Sequence, residues 1–246
     1  DYSQVDLFKD AKHLGKAYEK GIFSRKDDSL PGISYSKYNM AGGNIGHEFG
    51  VDGTDEVSVT KAMVDARQRM LEYEKYYREF VPGCSDAHIL MTANMLGIRE
   101  SRRIIGDYIL NLDDYINRSS FPDEIGRYCY PVDIHPSSPD DPDIKKNDEF
   151  YEKGRYKEGE SYGIPYRILT PEGLDNLLVA GRCVSCDRAM LGSIRVMPGC
   201  YITGQAVGVA ASIVAAENTT TRGFAVSKLQ RKLIDMGAYL PNSDGK

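Results

Sequence analysis

The stretch Leu177-Leu178-Val179-Ala180-Gly181-Arg182-Cys183-Val184-Ser185-Cys186-Asp187-Arg188-Ala189-Met190-Leu191-Gly192-Ser193-Ile194, with residues 195–217 behind it, decides how this chain is read. Its four apolar residues at 177–180 lie between Asp175-Asn176 and Gly181 and predict a short buried strand. A polar, glycine-bearing loop continues to Ile194. Residues 195–217 hold the small apolar run Ala206-Val207-Gly208-Val209-Ala210-Ala211 and predict a helix. Pro198 suits the first turn of that helix, where the missing N–H has no intrahelical partner. Strand, glycine loop and small-residue helix bring a helix N-terminus up to a polar ligand, because its free N–H groups and dipole favour negative charge. Gly204, Gly208, Ala211 and Ser212 share one helix face. Such a face admits a flat cofactor or a neighbouring backbone, and a core helix packed tightly on a sheet has the same spacing.

Outward from this stretch, periodicity predicts three further helices. Residues 5–20 place Leu7, Ala11, Leu14 and Tyr18 on one stripe, with Gly21 as the stop. Val59, Met63, Ala66, Met70, Tyr73, Tyr77 and Phe80 follow steps of four and three, and Pro82-Gly83 closes that helix. Residues 227–236 form the last, with Val226, Leu229, Leu233 and Met236 inward and Gly237 as the stop. Residues 33–38, 44–49, 88–96 and 104–110 read as strands, and 113–118 as a short helix. Residues 136–163, rich in Pro, Asp, Lys and Glu, read as an exposed loop. There is no internal repeat.

With 246 residues, 41% hydrophobic and 27% charged, the chain can bury a sizeable core. The net charge of −5 speaks against nucleic acid as a partner. No apolar run approaches the length of a membrane span, so no membrane partner and a cytoplasmic, soluble protein are expected. Five cysteines, an odd number in a chain this long, do not suggest a disulfide framework, and no metal site is expected. Oligomeric state is not legible.

Three groups of residues have chemical potential. Arg99, Glu100, Arg102 and Arg103 cluster beside apolar runs, where guanidinium forks clamp a carboxylate or phosphate, or where Glu100 pairs internally with Arg102 or Arg103. Asp133-Ile134-His135 sets a carboxylate and an imidazole two residues apart, on one side of an extended segment. A carboxylate raises the imidazole's basicity and prepares it for proton abstraction, although a polar loop histidine has the same sequence. His47 is the second candidate base, while His13 and His88 are read as structural. Cys183-Val184-Ser185-Cys186 is a CxxC, but no second CxxC accompanies it and coincidence is the better explanation.

The segments 176–185, 190–198 and 203–212 resemble the C-terminal flavin-binding segment of a bacterial FAD-dependent oxidoreductase family within the glutathione-reductase-like flavoproteins. Gly97 to Tyr108, Phe121-Pro122-Asp123, Asp133-Ile134-His135 and Gly163-Ile164-Pro165-Tyr166-Arg167 resemble the same family in the same order. The resemblance implies a mixed α/β (α+β) fold. Residues 1–170 would be a substrate-domain portion with a mixed sheet, and 171–246 the strand-loop-helix end of an FAD-binding domain. It implies FAD as cofactor, contacted by Gly181, Arg182, Gly192, Ser193, Arg195, Val196, Met197, Gly204 and Gln205. His135, Arg99 and Arg102 would serve catalysis on a polar small-molecule substrate, a sugar derivative or an organic acid. The family's GxGxxG turn has no counterpart here: Gly42-Gly43-Asn44-Ile45-Gly46 follows no clear strand and precedes His47-Glu48-Phe49-Gly50. The chain is therefore expected to be the later part of a longer flavoprotein, inactive alone and short of its usual hold on FAD. A non-catalytic binding module and a CxxC thiol protein are the alternatives.

Overall fold

The computed structural model describes residues 11–27, 33–35, 41–135, 137–138, 141 and 144–242. The chain packs as two compact units, residues 1–98 with 136–141, and residues 99–135 with 142–246. The division of function expected at 170/171 is drawn elsewhere than this division of packing.

The first unit contains α1 (Ala11–Glu19), an antiparallel pair of β1 (Ile33–Tyr35) and β2 (Ala41–Gly43), and α2 (Glu56–Phe80). Helix α2 begins where the Asp55 carboxylate accepts the N–H groups of Val57 and Ser58, satisfying donors that have no intrahelical partner. Its predicted stripe faces inward: Tyr73 and Tyr77 are buried, joined by Ala62 and Tyr76, and Met70 and Phe80 pack beside them. Leu14, Ala17 and Ile22 complete this core, with Phe23 edge-on to Tyr73 at 5.2 Å. Residues 44–49 and 88–96 are not strands. Leu90, Met91 and Met95 are exposed, and the N–H of Ile89 is taken by the Glu74 side chain instead of by a neighbouring strand. Residues 5–10 and 36–38 lie outside the described residues.

The second unit is built on the antiparallel pair β3 (Glu124–Tyr128) and β4 (Tyr162–Pro165). Around the pair stand α3 (Leu112–Asn117), α4 (Ile144–Lys153), α5 (Arg188–Ile194), α6 (Met197–Glu217) and α7 (Val226–Asp235). The fold is thus mixed α and β, as expected, with antiparallel pairing in both sheets. Ile125, Tyr162, Ile164, Met190, Leu191, Ile194, Ala206, Ala210, Leu229 and Leu233 form its core. Strand β3 lies so close to α6 that a Cβ on Gly126 would stand 2.6 Å from Ile202 Cγ2. On α7, Leu229 and Leu233 are buried as predicted. Met236 is exposed, and Gln230 takes the inner position by donating to the carbonyls of Pro122 and Glu124.

Several expectations change here. Residues 177–180 are not a buried strand: Leu177 is 45% exposed, and the segment is held by Val179 N–H donating to Leu169 O at 2.8 Å. Residues 104–110 form only the isolated bridges Gly106–Pro171 and Leu110–Cys186. The stretch read as a loop to Ile194 contains a 3₁₀ turn, Gly181–Cys183, and helix α5. Asp187 starts α5 by accepting Met190 N–H at 2.7 Å. The helix expected from 195 begins at Met197, because Pro198 has no N–H with which to continue the α5 ladder onto Ile194. The loop read at 136–163 holds α4, which is anchored by aromatic residues. Tyr115 stacks on Tyr156 at 4.4 Å and donates to Gly154 O at 2.7 Å. Helix α6 is long and apolar enough to span a membrane by length and composition, contrary to the sequence reading. One side of it, with Thr203, Ala206, Ala210 and Ile213, packs into the core. The side carrying Gly204, Gly208, Ala211 and Ser212 is exposed, with nothing described within 4 Å of a Cβ placed at either glycine.

Candidate functional site

Along residues 132–135 alternate side chains go to different surroundings. Val132 and Ile134 line a cavity of 560 Å³ together with Leu112, Phe150 and Ala189. Asp133 and His135 turn to the other side, as predicted, and meet two arginines brought from distant positions. His135 Nε2 stands 3.3 Å from Asp133 Oδ1 and hydrogen-bonds Arg99 Nη1. Arg99 Nη1 lies 4.0 Å from Asp133 Oδ2. Arg195 Nη2 donates to the Asp133 carbonyl at 2.7 Å and lies 3.7 Å from its carboxylate.

The electrostatics follow from this crowding. Burial pushes the Asp133 carboxyl up, but the hydrogen bond and charge of His135, then the charges of Arg195 and Arg99, hold it below the ordinary range. Burial, then the like charge of Arg99, pull the Arg195 guanidinium down, with Asp133 opposing them. His135 Nε2 therefore has a donor and an acceptor in reach. Without a proton it accepts from Arg99, and with one it donates to Asp133. An imidazole with both kinds of partner in reach can hold or release a proton at one atom.

Helix α5 supports this segment from behind. A Cβ on Gly192 would stand 3.1 Å from both the backbone N and O of Asp133, so any other residue would have to push that backbone back by a few tenths of an ångström. Ser193 is fully buried. Its hydroxyl donates to Tyr130 O at 2.6 Å and accepts from the Tyr162 hydroxyl at 2.9 Å. The Ser193 side chain is thus committed within the fold and is not presented to a cofactor. Arg195 braces Asp133 and not Asp187, whose carboxylate is engaged by the N–H groups of Met190 and Leu112.

A model of the FAD-dependent oxidoreductase family matches residues 4–233. The chain belongs to that family. A search of curated proteins finds no match, and a search of solved structures finds none. Membership makes FAD the cofactor and oxidoreduction the chemistry of this FAD-dependent oxidoreductase.

The residues that the resemblance assigns to FAD lie around the start of α6 and the Gly181–Cys183 turn. Val196 starts α6 with no side-chain cap and Met197 beside it is exposed, while Pro198 has no N–H, the buried Gly199 N–H goes to the Tyr128 hydroxyl and Cys200 N–H to Val196 O. Gly181 packs beside this turn with a positive φ of 74°, its N–H donating to Thr203 Oγ1, and Arg182 next to it is exposed. Gly204 and Gln205 lie farther along α6, also exposed. Among the described residues no strand–glycine turn–helix unit offers a seat for the pyrophosphate.

The other candidates separate. Arg102 is exposed and forms no ion pair among the described residues, and Glu100 turns to Arg188 at 3.7 Å. The pairing of Glu100 with Arg102 or Arg103 is therefore not found. His47, in the first unit, holds its own dyad with Asp27 at 3.2 Å, beside Arg25, Glu48 and Arg69. Of the CxxC pair, Cys183 is exposed while Cys186 is buried and its thiol pushed up to about 12 by that burial, so it is a poor thiolate source. Among the described residues no three His, Cys, Asp or Glu side chains converge on a metal site. Sequence reasoning allowed Arg195 to brace the loop against Asp187 but missed Asp133 as its partner, since nothing local signals a contact 62 residues away.

Proposed function

We propose that this chain oxidises a polar small molecule, an organic acid or a sugar derivative, with His135 as the base that takes the substrate's proton. The supporting observation is the placement of His135 Nε2 between Arg99 and Asp133. FAD, when bound, supplies the two-electron acceptor. The substrate displaces the Arg99 N–H from Nε2, and the lone pair thus freed takes the substrate's proton. On taking the proton, Nε2 passes to Asp133, whose carboxylate remains ionised between two guanidiniums. Arg195 fixes the Asp133 backbone so that this geometry is set before substrate arrives. The start of α6 at Val196 and exposed Met197, with the Gly181–Cys183 turn, is the proposed seat of the flavin's pyrimidine edge.

Anaerobic mixing of the FAD-loaded protein with small hydroxy acids and polyols tests the reading. Loss of the flavin's visible absorption with a member of either class supports it. Bleaching only by thiols, with both polar classes inert, would return the protein to the CxxC alternative.

A further inference from the structure

Arg99 and Arg195 face the same carboxylate, Asp133. Glu100, the nearest other acid on this segment, turns away to Arg188. Two guanidiniums therefore share the Asp133 carboxylate, and the charge of Glu100 also reaches Arg195. Arg195 is held inside, with its side chain 10% exposed and Nη2 on Asp133. Arg99 is different. Its side chain is 31% exposed, and among the described residues only Nη1 is engaged, leaving Nε and Nη2. Those two donors lie along one edge of the guanidinium, the edge that takes a carboxylate in two parallel hydrogen bonds. His135 and Asp133, at 24% and 25% exposure, are also reachable from solvent, so a small molecule can meet the arginine and the base together. Like charges held close with one counterion between them are relieved by a second anion and gain nothing from a neutral polyol.

We propose that the site selects an anionic substrate, one carrying a carboxylate that binds the Nε–Nη2 edge of Arg99 while the carbon to be oxidised faces His135. This rests on the proposed function for the role of His135, but the carboxylate site itself does not. Arg99 is a specificity-determining residue: it discriminates acid from polyol, and Arg102, exposed and away from the dyad, does not.

The test is equilibrium binding of malonate to the folded chain by calorimetry and thermal shift, with glycerol and sodium chloride of matched ionic strength as controls. Malonate is expected to bind and raise the melting temperature, and the controls are expected not to. Arg99→Gln should weaken malonate about tenfold to a hundredfold, the loss of a bidentate charge-assisted pair. Arg99→Lys, which keeps charge but loses the fork, should fall between, and Arg102→Gln should bind as wild type. Malonate acting no differently from chloride, or unchanged malonate affinity in both Arg99→Gln and Arg99→Lys, would overturn the proposal. Because no turnover is needed, binding that survives in a protein whose His135→Ala variant still oxidises substrate would refute the assigned base and leave the anion site standing.

Discussion

Removal of the Ser193 hydroxyl should destabilise the second unit more than removal of its partner hydroxyl on Tyr162, and the pair should be strongly non-additive. Tyr162 and Ser193 are both fully buried, at 2.9 Å from each other, and the Ser193 hydroxyl donates to Tyr130 O at 2.6 Å. Tyr162→Phe removes one donor and leaves the Ser193–Tyr130 bond in place, for about 1 kcal/mol. Ser193→Ala strands the Tyr162 hydroxyl without an acceptor and takes the donor from the Tyr130 carbonyl. With about 1–3 kcal/mol for the buried hydroxyl and about 1 kcal/mol for the carbonyl, the total is about 2–4 kcal/mol. The double variant has no stranded hydroxyl. It should therefore be no worse than Ser193→Ala and up to about 2 kcal/mol more stable, a coupling within the range seen for residues in one network. Urea titrations followed by tyrosine fluorescence give all three values. Costs of Ser193→Ala and Tyr162→Phe that simply add, or a Ser193→Ala cost below about 0.5 kcal/mol, would show that the chain of hydroxyls does not hold the Tyr130–Asp133 backbone.

Acid should loosen the second unit partly through Asp107, whose carboxyl is held below its ordinary range by hydrogen bonds from Arg222, then Thr170, against the effect of burial. A depressed folded pKa gives stability that is present above the unfolded value of about 3.9 and lost as pH falls through the folded value. Arg222→Ala should therefore lower stability at neutral pH and flatten its loss in acid, read from melting temperatures across pH. Iodoacetamide should label exposed Cys183 quickly and leave Cys186 unlabelled until the protein unfolds, and replacing both by Ser should cost less than a hundredfold in flavin reduction. Gly204 and Gly208 meet open space on α6, so Gly→Ala at each should stabilise the chain by about 0.5–1 kcal/mol in urea. A loss at either position would mean that this face is covered.

Which parts were legible in sequence has a physical pattern. Helix α2 was readable because its apolar residues recur at one period over 25 residues. The dyad Asp133–His135 was readable because an extended segment places i and i+2 together by geometry alone. Strands β3 and β4 were not: both are short, and β3 carries Glu124 and Arg127, which enter the interior as an ion pair at 2.7 Å and break the apolar alternation. The run 177–180 misled, since four apolar residues indicate burial only where a partner is present to cover them. Helix α4 was hidden in a polar composition, its hold residing in Phe150 and Tyr156 against Tyr115. The arginine partners of Asp133 come from 34 residues before it and 62 after it, distances over which local pattern carries no information.

The most direct test of the account is the rate of anaerobic flavin reduction in His135→Ala against wild type, at matched FAD content and saturating substrate. A positioned base contributes about 10²- to 10⁴-fold, so a loss of that size is expected, with partial recovery on adding imidazole and with FAD affinity unchanged. Reduction at the wild-type rate in His135→Ala would contradict the claim that this histidine takes the substrate's proton.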